Sequence, residues 1–146
     1  MRVILAFFTF LFTLASCDLS WKNCGTAEDL LDIQQLTYAP LVPVRGEALT
    51  VTAQGNLKEQ LTSGTKVNLV VKWGFVRVPV PPVDVCGELS KLPDAPATCP
   101  LQPGPVSLTQ SFVLPAQIPD GDYDVNIRIK NQDGRQVACV QVKLDF

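Results

Sequence analysis

Apolar and polar residues alternate with a period of two along most of the chain. In the segment 65–75, Val67 and Leu69 fall on one side, whereas Lys66 and Asn68 fall on the other. Such alternation is typical of half-buried antiparallel strands. The alternating segments are 33–39, 48–55, 65–75, 105–115, 122–131 and 136–146, and single helical turns fit 26–31 and 87–92. Short strands separated by turn signals predict an all-β fold, an antiparallel β-sandwich of two sheets.

The segment 75–86, FVRVPVPPVDVC, interrupts this regular pattern. After Gly74 the valines move from odd to even positions, at Val76, Val78 and Val80. A change of phase at a glycine predicts a bulge or bend, after which the strand continues as a proline-bearing edge strand. Protection of the edge against aggregation is one interpretation. The other is that an apolar edge unable to pair fully lets the two sheets separate, leaving a gap that a lipid could fill.

The first 17 residues have the features of a secretory signal peptide. Arg2 precedes the apolar run VILAFFTFLFTLAS, which ends in small residues and is too short for a membrane span. We place cleavage between Ala15 and Leu19, after Cys17, and assign the mature domain to 18–146. An alternative is a bacterial lipoprotein with Cys17 lipidated, because LASC fits that short pattern. The signal-peptide interpretation predicts the secretory pathway, with the protein secreted or held in a vacuolar or lysosomal lumen.

Charge and composition exclude several classes of function. The mature segment carries 11 basic and 14 acidic side chains, a net charge of −3, and no histidine. It has no basic stripe for nucleic acid. Without histidine a serine or cysteine nucleophile lacks its usual base, so we expect neither an enzyme nor a cofactor. In DGDYD, Asp120, Asp122 and Asp124 alternate as on one solvent-facing side of a strand. We expect no metal there, because the glycine and glutamate of an EF-hand are missing.

Four cysteines remain after the signal peptide: Cys24, Cys86, Cys99 and Cys139. An even number in a secreted chain predicts two disulfides. Three connectivities are possible, of which the nested pairing of 24 with 139 and of 86 with 99 is the simplest. A zinc site is a poor alternative, because no pair has C-x-x-C spacing and no histidine is present.

Several landmarks follow one another along the mature segment. They are CG (24–25), ALTVTAQGNLKEQLTSGTKVNLVVKWGFV (48–76), VDVC (83–86), CPLQPGPVSLTQSFVLP (99–115), IPDGDYDVNIRI (118–129) and CVQVKLDF (139–146). With these landmarks the chain resembles the ML (MD-related lipid-recognition) family. It is similar to phosphatidylglycerol/phosphatidylinositol transfer proteins and to the lumenal sterol carrier of the Niemann–Pick type C pathway. VPVPPV is more similar to the sterol-carrier branch, whereas the third disulfide of animal sterol carriers has no cysteines here.

The resemblance implies an immunoglobulin-like sandwich that holds one lipid between its sheets and moves it between membranes without hydrolysis. It implies the disulfides Cys24–Cys139 and Cys86–Cys99. The lipid-contacting positions that it implies are Leu49, Val51, Leu69, Val71, Trp73, Phe75, Val78, Val80, Phe112, Leu114, Tyr123, Val125, Ile127, Val140 and Val142. Ordinary core packing is the alternative for each of them, and Tyr123 could pin its strand as a tyrosine corner.

The implied partner is a phospholipid (phosphatidylglycerol or phosphatidylinositol) or a sterol. A phosphate would stay outside the pocket near Lys72 or Arg77, because burying it unpaired is prohibitive. We expect a monomer that contacts membranes transiently. The competing hypothesis is a secreted β-sandwich interaction module without lipid cargo, whose apolar edge binds another protein. Lipid that copurifies at one molecule per chain would distinguish the two.

Overall fold

Two antiparallel sheets form a β-sandwich in this computed structural model, which describes residues 18–91 and 98–146. The elements are β1 (Asp18–Asn23), β2 (Leu31–Ala39), β3 (Ala48–Leu57), β4 (Lys66–Trp73), β5 (Val76–Pro79), β6 (Val83–Asp84), α1 (Val85–Lys91), β7 (Gly104–Val113), β8 (Asp122–Lys130) and β9 (Gln136–Asp145). The large sheet has the order β1-β9-β8-β4-β5, with β6 also pairing with β4. The small sheet has the order β2-β3-β7. Within the described ranges no helix is long and apolar enough to cross a membrane.

The all-β sandwich and the alternating strands predicted from the sequence are confirmed, except that the strand predicted at 65–75 ends at Trp73. The helical turn predicted at 87–92 is also present, as part of α1, whereas 26–31 contains turns and the start of β2 but no helix. The first strand was missed, because only Leu19 and Trp21 are apolar in DLSWKN. Its strand conformation comes from pairing with β9, where Leu19 lies opposite Leu144. The predicted signal peptide, 1–17, lies outside the described residues.

The chain reverses at Gly74 instead of continuing in one direction. Gly74 has a φ of 56°, a left-handed conformation that glycine adopts without a steric penalty. The resulting turn brings Val76 opposite Trp73 and makes β5 the antiparallel edge of the large sheet. The edge position was therefore predicted correctly, and of the two alternatives, a bulge or a bend, the chain bends at Gly74, here through a complete reversal. Phe75 lies in the turn and is fully exposed, so its predicted position on the inward face is wrong.

Apolar packing seals one end of the sandwich, which we call the closed end. Leu30, Leu57, Leu61 and Val137 form a buried cluster there, and side chains from both sheets pack against it, including Ile129 and Val106. Leu57 and Val137 are only 2% and 1% exposed. Burial of such side chains contributes about 1.5–3 kcal/mol each relative to exposure, so this end carries much of the folding free energy.

The opposite end of the sandwich, which we call the open end, is formed by the loop 40–47, the β4–β5 turn, the loop 114–121 and Phe146. Arg45 pairs with Asp120 and lies over the Phe146 ring. The indole N–H of Trp73 donates to the backbone carbonyl of Asp120 at 3.2 Å. These contacts join loops of the two sheets by polar and aromatic interactions, and the buried aliphatic cluster formed by residues in 18–91 and 98–146 lies at the other end.

Two disulfides cross-link the fold. Cys24–Cys139 joins the end of β1 to β9, and Cys86–Cys99 joins α1 to the segment before β7. This is the nested pairing that the resemblance implied. The first bridge spans 115 residues of sequence and the second 13, so in the loop-entropy model the first restricts the unfolded chain more.

Candidate functional site

The strand register places most of the predicted lipid-contacting residues on the two facing surfaces of the sandwich. In the large sheet Val71 lies opposite both Val78 and Val125, and Val125 lies opposite Val142. Residues paired in this way share a face. The inward positions of the predicted set in this sheet are Leu69, Val71, Trp73, Val78, Tyr123, Val125, Ile127, Val140 and Val142.

The small sheet contributes Leu49, Val51 and Phe112 to the facing surface, with Leu49 opposite Phe112. Two further predicted residues lie just beyond strand ends. Val80 follows β5, and Leu114 follows β7, where its backbone bonds to Gly46 and Glu47 in the loop 40–47. Phe75 alone is separated from the set, at the tip of the β4–β5 turn.

Burial along these facing surfaces is uneven. Leu49 and Val140 are buried, and so is the cluster at the closed end. In contrast, Val51, Val71 and Val125 remain partly exposed, although they face the other sheet. Inner residues of a filled sandwich would be sealed, because protein interiors are close-packed. Partial exposure of aliphatic side chains in mid-sheet therefore indicates open space between the sheets.

Besides the closed end, the two sheets approach each other along the side formed by β1, β2 and β9. There the hydroxyl of Tyr38 on β2 donates to the carbonyl of Leu19 on β1 at 2.8 Å, and β2 lies close to β9. On the other side β7 and β5 are the unpaired edges of their sheets. Val78 on β5 is 43% exposed and Phe112 on β7 is 50% exposed, although both lie on inward faces. The space between the sheets is accordingly accessible along this side, near the open end.

Apolar side chains also cover the tip of the open end. They are the exposed residues Leu41, Val42, Val44, Phe75, Val76 and Val113. Large exposed apolar clusters are uncommon in monomeric proteins and mark binding surfaces. Sequence reasoning missed Leu41, Val42 and Val44, because PLVPV has the prolines of a loop, and periodicity does not say where a loop lies. It missed Val113 because this last residue of β7 falls on the outer side of the alternation, opposite Ala48. An apolar loop with few polar residues was the available signal.

Charged residues occupy the outer face of the large sheet. Asp145 lies opposite both Asp18 and Asp122, which makes a row of three carboxylates across β1, β9 and β8. Lys72 and Arg77 lie opposite each other on β4 and β5. These two cations point away from the space between the sheets, so they can meet a headgroup only outside it.

Clefts on this outer face are not candidates for the apolar site. One has a volume of about 560 Å³ and is lined by charged residues such as Asp18, Lys72 and Lys143. A second, of about 340 Å³, is lined by Arg77 and Arg128 among others. Their charged walls do not suit an acyl chain or sterol body. In the part of the chain that the structure describes, no group of histidine, cysteine or acidic residues could hold a metal ion.

Three aromatic side chains on the inward faces, those of Tyr38, Trp73 and Tyr123, use their polar groups in hydrogen bonds to the protein. Besides Tyr38 and Trp73, Tyr123 donates its hydroxyl to the carbonyl of Pro119 at 2.9 Å, in the manner of a tyrosine corner. Trp73 also stacks on Tyr123, with ring centroids 6.2 Å apart. Gln110 is a further inward polar residue, which sequence reasoning passed over although it continues the alternation of Val106, Leu108 and Phe112.

A two-sheet β-sandwich with an apolar, partly open interior and an apolar tip defines the class of β-sandwich binding proteins. The chain belongs to the ML domain family, whose model matches residues 18–146.

Named relatives belong to one group of this family. A phosphatidylglycerol/phosphatidylinositol transfer protein of Mycosarcoma maydis is 34% identical over 126 residues, covering 86% of this chain and 65% of the relative. A putative phosphatidylglycerol/phosphatidylinositol transfer protein of Dictyostelium discoideum is 33% identical over 148 residues and is covered completely, as is this chain. The chain thus spans just under two thirds of the length of the first relative and the whole of the second.

Two solved structures share the fold. A Niemann–Pick type C2 protein from the Japanese carpenter ant superposes with a TM-score of 0.67 at 16% identity, covering 85% of this chain and 96% of that one. Chicken MD-1, solved in complex with lipid IVa, gives a TM-score of 0.68 at 19% identity, covering 92% of this chain and 93% of that one. At these identities the similarity establishes the sandwich fold.

Proposed function

We propose that the protein is a non-enzymatic carrier that holds one lipid between its two sheets and moves it between membranes. The observation that carries this proposal is the partial exposure of mid-sheet aliphatic residues such as Val71 and Val125 on facing surfaces. Burying apolar cargo against such walls contributes roughly 25 cal/mol per Å² of area removed from water. The named transfer activity of relatives in the same family supports the same function.

The favoured cargo is a phospholipid, with a sterol as the second candidate. The relatives that are 33–34% identical are named for phosphatidylglycerol and phosphatidylinositol. No charged residue occupies an inward strand position within 18–91 or 98–146, so a phosphate would remain outside the space between the sheets. A phospholipid can bind with its acyl chains between the sheets and its phosphate in water, so that no charge is buried. Because the headgroup then stays outside, such binding tolerates different headgroups.

The open end is the proposed membrane-contacting surface. Its exposed apolar residues, such as Leu41, Phe75 and Val113, would enter the bilayer interface transiently. Cargo could then leave along the side between Val78 and Phe112 without crossing water. Lys72 and Arg77 lie on β4 and β5, at this edge of the large sheet, whereas the aspartate row extends over β8, β9 and β1. An anionic bilayer would therefore attract the β4–β5 edge through Lys72 and Arg77.

The two disulfides support a secretory route for the protein. Two disulfides form and persist in oxidising compartments, and the proposed signal peptide at 1–17 would direct the chain there. Expression of the full chain in eukaryotic cells, followed by amino-terminal sequencing of the secreted product, tests this route. A mature protein that begins at 18 supports it. A product retained with an acylated Cys17 supports the lipoprotein alternative.

The carrier function is tested on the secreted protein. Native mass spectrometry with lipid extraction should find one lipid per chain on a monomer. Phosphatidylglycerol vesicles should then displace a fluorescent phospholipid from the protein, and fluorescent sterol measured in parallel decides between the two cargoes. If no lipid copurifies and neither probe binds above background, the carrier proposal fails. An apolar surface that instead binds another protein would favour the interaction module.

A further inference from the structure

We propose that Gln110 is a cargo-contacting residue whose side-chain amide donates a hydrogen bond to an acyl-ester carbonyl of a glycerolipid. This inference rests on the carrier function proposed above and names a polar recognition element inside it. It assigns a specific role to a residue on β7, the edge strand of the small sheet.

The orientation of Gln110 follows from its neighbours on both sides. Thr109 and Ser111 lie on the outer face of the small sheet, where their hydroxyls bond to those of Thr52 and Thr50 at 3.0 and 2.8 Å. Successive side chains of a strand point to opposite faces. Gln110 therefore points inward, opposite Val51.

The amide of Gln110 stands among apolar side chains without a protein partner. Leu108 and Phe112 flank it along the strand and Val51 lies across from it. Within the described residues no donor or acceptor bonds to the Gln110 side chain, which is partly buried. Tyr38 and Tyr123, by contrast, each donate to a backbone carbonyl. Because an amide on an apolar wall loses free energy when it is desolvated unpaired, cargo binding favours a ligand with a polar group at this point.

The depth of Gln110 in the site indicates that its partner is the ester group and not another polar group of the lipid. Gln110 lies one inward position below Phe112, or roughly 7 Å along the strand from the exposed rim of the site. A phosphate would remain at or beyond that rim, since the inward strand positions in the described ranges carry no charge. The ester carbonyls of a glycerolipid lie just below its phosphate and are acceptors, which suits the amide N–H. A sterol hydroxyl held at the rim would lie above Gln110.

The test pairs a protein change with a ligand change. Gln110→Met keeps the length of the side chain and removes its hydrogen bonding. The ligands are phosphatidylglycerol with two ester-linked chains and its dialkyl-ether analogue, which lacks the carbonyls. Wild type should bind the ester lipid roughly three- to tenfold more tightly than the ether lipid, the range expected for one hydrogen bond. Gln110→Met should bind both equally.

Gln54→Met is the matched control, because Gln54 lies on the outer face of the adjacent strand β3. It should keep the wild-type preference. Gln110→Leu, which is uncharged and has no hydrogen-bond donor, serves as a second variant if the methionine variant folds poorly, and it should also lose the preference. Melting temperatures of all variants establish that the fold is intact.

The outcomes separate the two proposals. Equal binding of ester and ether lipids by wild type, or a preference that survives Gln110→Met, overturns the role of Gln110 and leaves the carrier standing. The ester assignment is also overturned if Gln110→Met lowers the affinity for a fluorescent sterol by the same factor and the protein shows no preference for the ester lipid over the ether lipid. If neither phosphatidylglycerol analogue nor sterol binds wild type, the carrier proposal itself fails, and this inference fails with it.

Discussion

The guanidinium carbon of Arg45 lies 5.1 Å from the centroid of the Phe146 ring. Arg45 belongs to the loop 40–47 of the small sheet, whereas Phe146 follows the last strand of the large sheet. Arg45 also pairs with Asp120, in the loop that leads from β7 to β8. One side chain thus links three segments at the end of the sandwich where aliphatic packing is sparse.

A double-mutant cycle measures this link. Arg45→Met keeps the apolar stem and removes the cation, and Phe146→Leu removes the ring. We expect a coupling of about 0.5–1 kcal/mol in the free energy of unfolding, the range of an exposed cation–π pair. Chemical denaturation of both single variants and the double variant provides the measurement. Strictly additive effects would show that the ring and the cation do not interact in solution.

Val78 and Val70 provide a matched pair for testing the proposed cargo exit. Both are valines of the β4–β5 hairpin with similar exposure, 43% and 38%, but Val78 faces the small sheet and Val70 faces outward. Val78→Asp should reduce lipid transfer between vesicles roughly tenfold, because it places an unpaired charge beside apolar cargo. Val70→Asp should leave transfer near the wild-type level.

Thermal melts complete the comparison of these two variants. Each should cost about 1 kcal/mol of stability or less, since both sites are solvated. If Val78→Asp unfolds the protein in proportion to its loss of transfer, Val78 belongs to the folding core and not to the rim of the site.

The aspartate row on the large sheet predicts a stabilising substitution. Asp145 lies between Asp18 and Asp122, and like charges directly opposite each other on a sheet are destabilising. Asp145→Asn should raise the free energy of unfolding by about 0.2–1 kcal/mol at low salt, and the gain should shrink as salt screens the row. Asp32→Asn is the control, because Asp32 faces Asn56. Equal effects of the two substitutions would argue against repulsion within the row.

Arg135 organises two carboxylates at the surface near the closed end. Its guanidinium bonds both oxygens of Glu59, at 3.1 and 2.7 Å, and also Asp133 at 3.0 Å. The hydrogen bonds from Arg135 lower the pKa of Glu59 below its usual 4.5. The pKa of Asp133 falls below its usual 3.8, chiefly because its carboxylate accepts the backbone N–H of Arg135.

Both carboxylates have depressed pKa values in the folded state, so their contribution to stability is complete above about pH 4.5 and is lost as the pH falls through the folded values. Arg135→Gln should therefore lower the melting temperature slightly at pH 7, and the difference from wild type should vanish in acid. Solvent exposure keeps the effect small. A difference that persists unchanged at pH 2–3 would point to lost packing by the arginine stem.

Local pattern predicted the strands where one face is apolar and the other polar. It could not distinguish a bulge at Gly74 from a reversal, because the apolar phase changes in the same way in both. Phe75 was consequently assigned to the inward face, whereas tertiary structure puts it at a tip. The first strand was missed because its few apolar residues acquire strand conformation from pairing with β9.

The candidate site was predictable only in outline. Alternation identified the inward residues of both sheets, since facing surfaces of a sandwich must be apolar. It did not reveal that exposed loop residues such as Leu41 lie at the same end of the sandwich as Phe75 and Val113, because that depends on how distant segments assemble. Gln110 was missed for a different reason. A single polar residue among apolar ones is not expected to face inward, and only the strand register, which places Gln110 opposite Val51, shows that it does.

The leucine cluster at the closed end has a consequence for how such a protein can diversify. Leu57 and Val137 support folding at a distance from the residues that would meet cargo. Substitutions at Val78, Phe112 or the loop 40–47 can change what the protein accepts while the folding free energy is maintained elsewhere. Evolution, or an engineer, can therefore alter ligand preference at one end of this scaffold without first compensating for lost stability at the other.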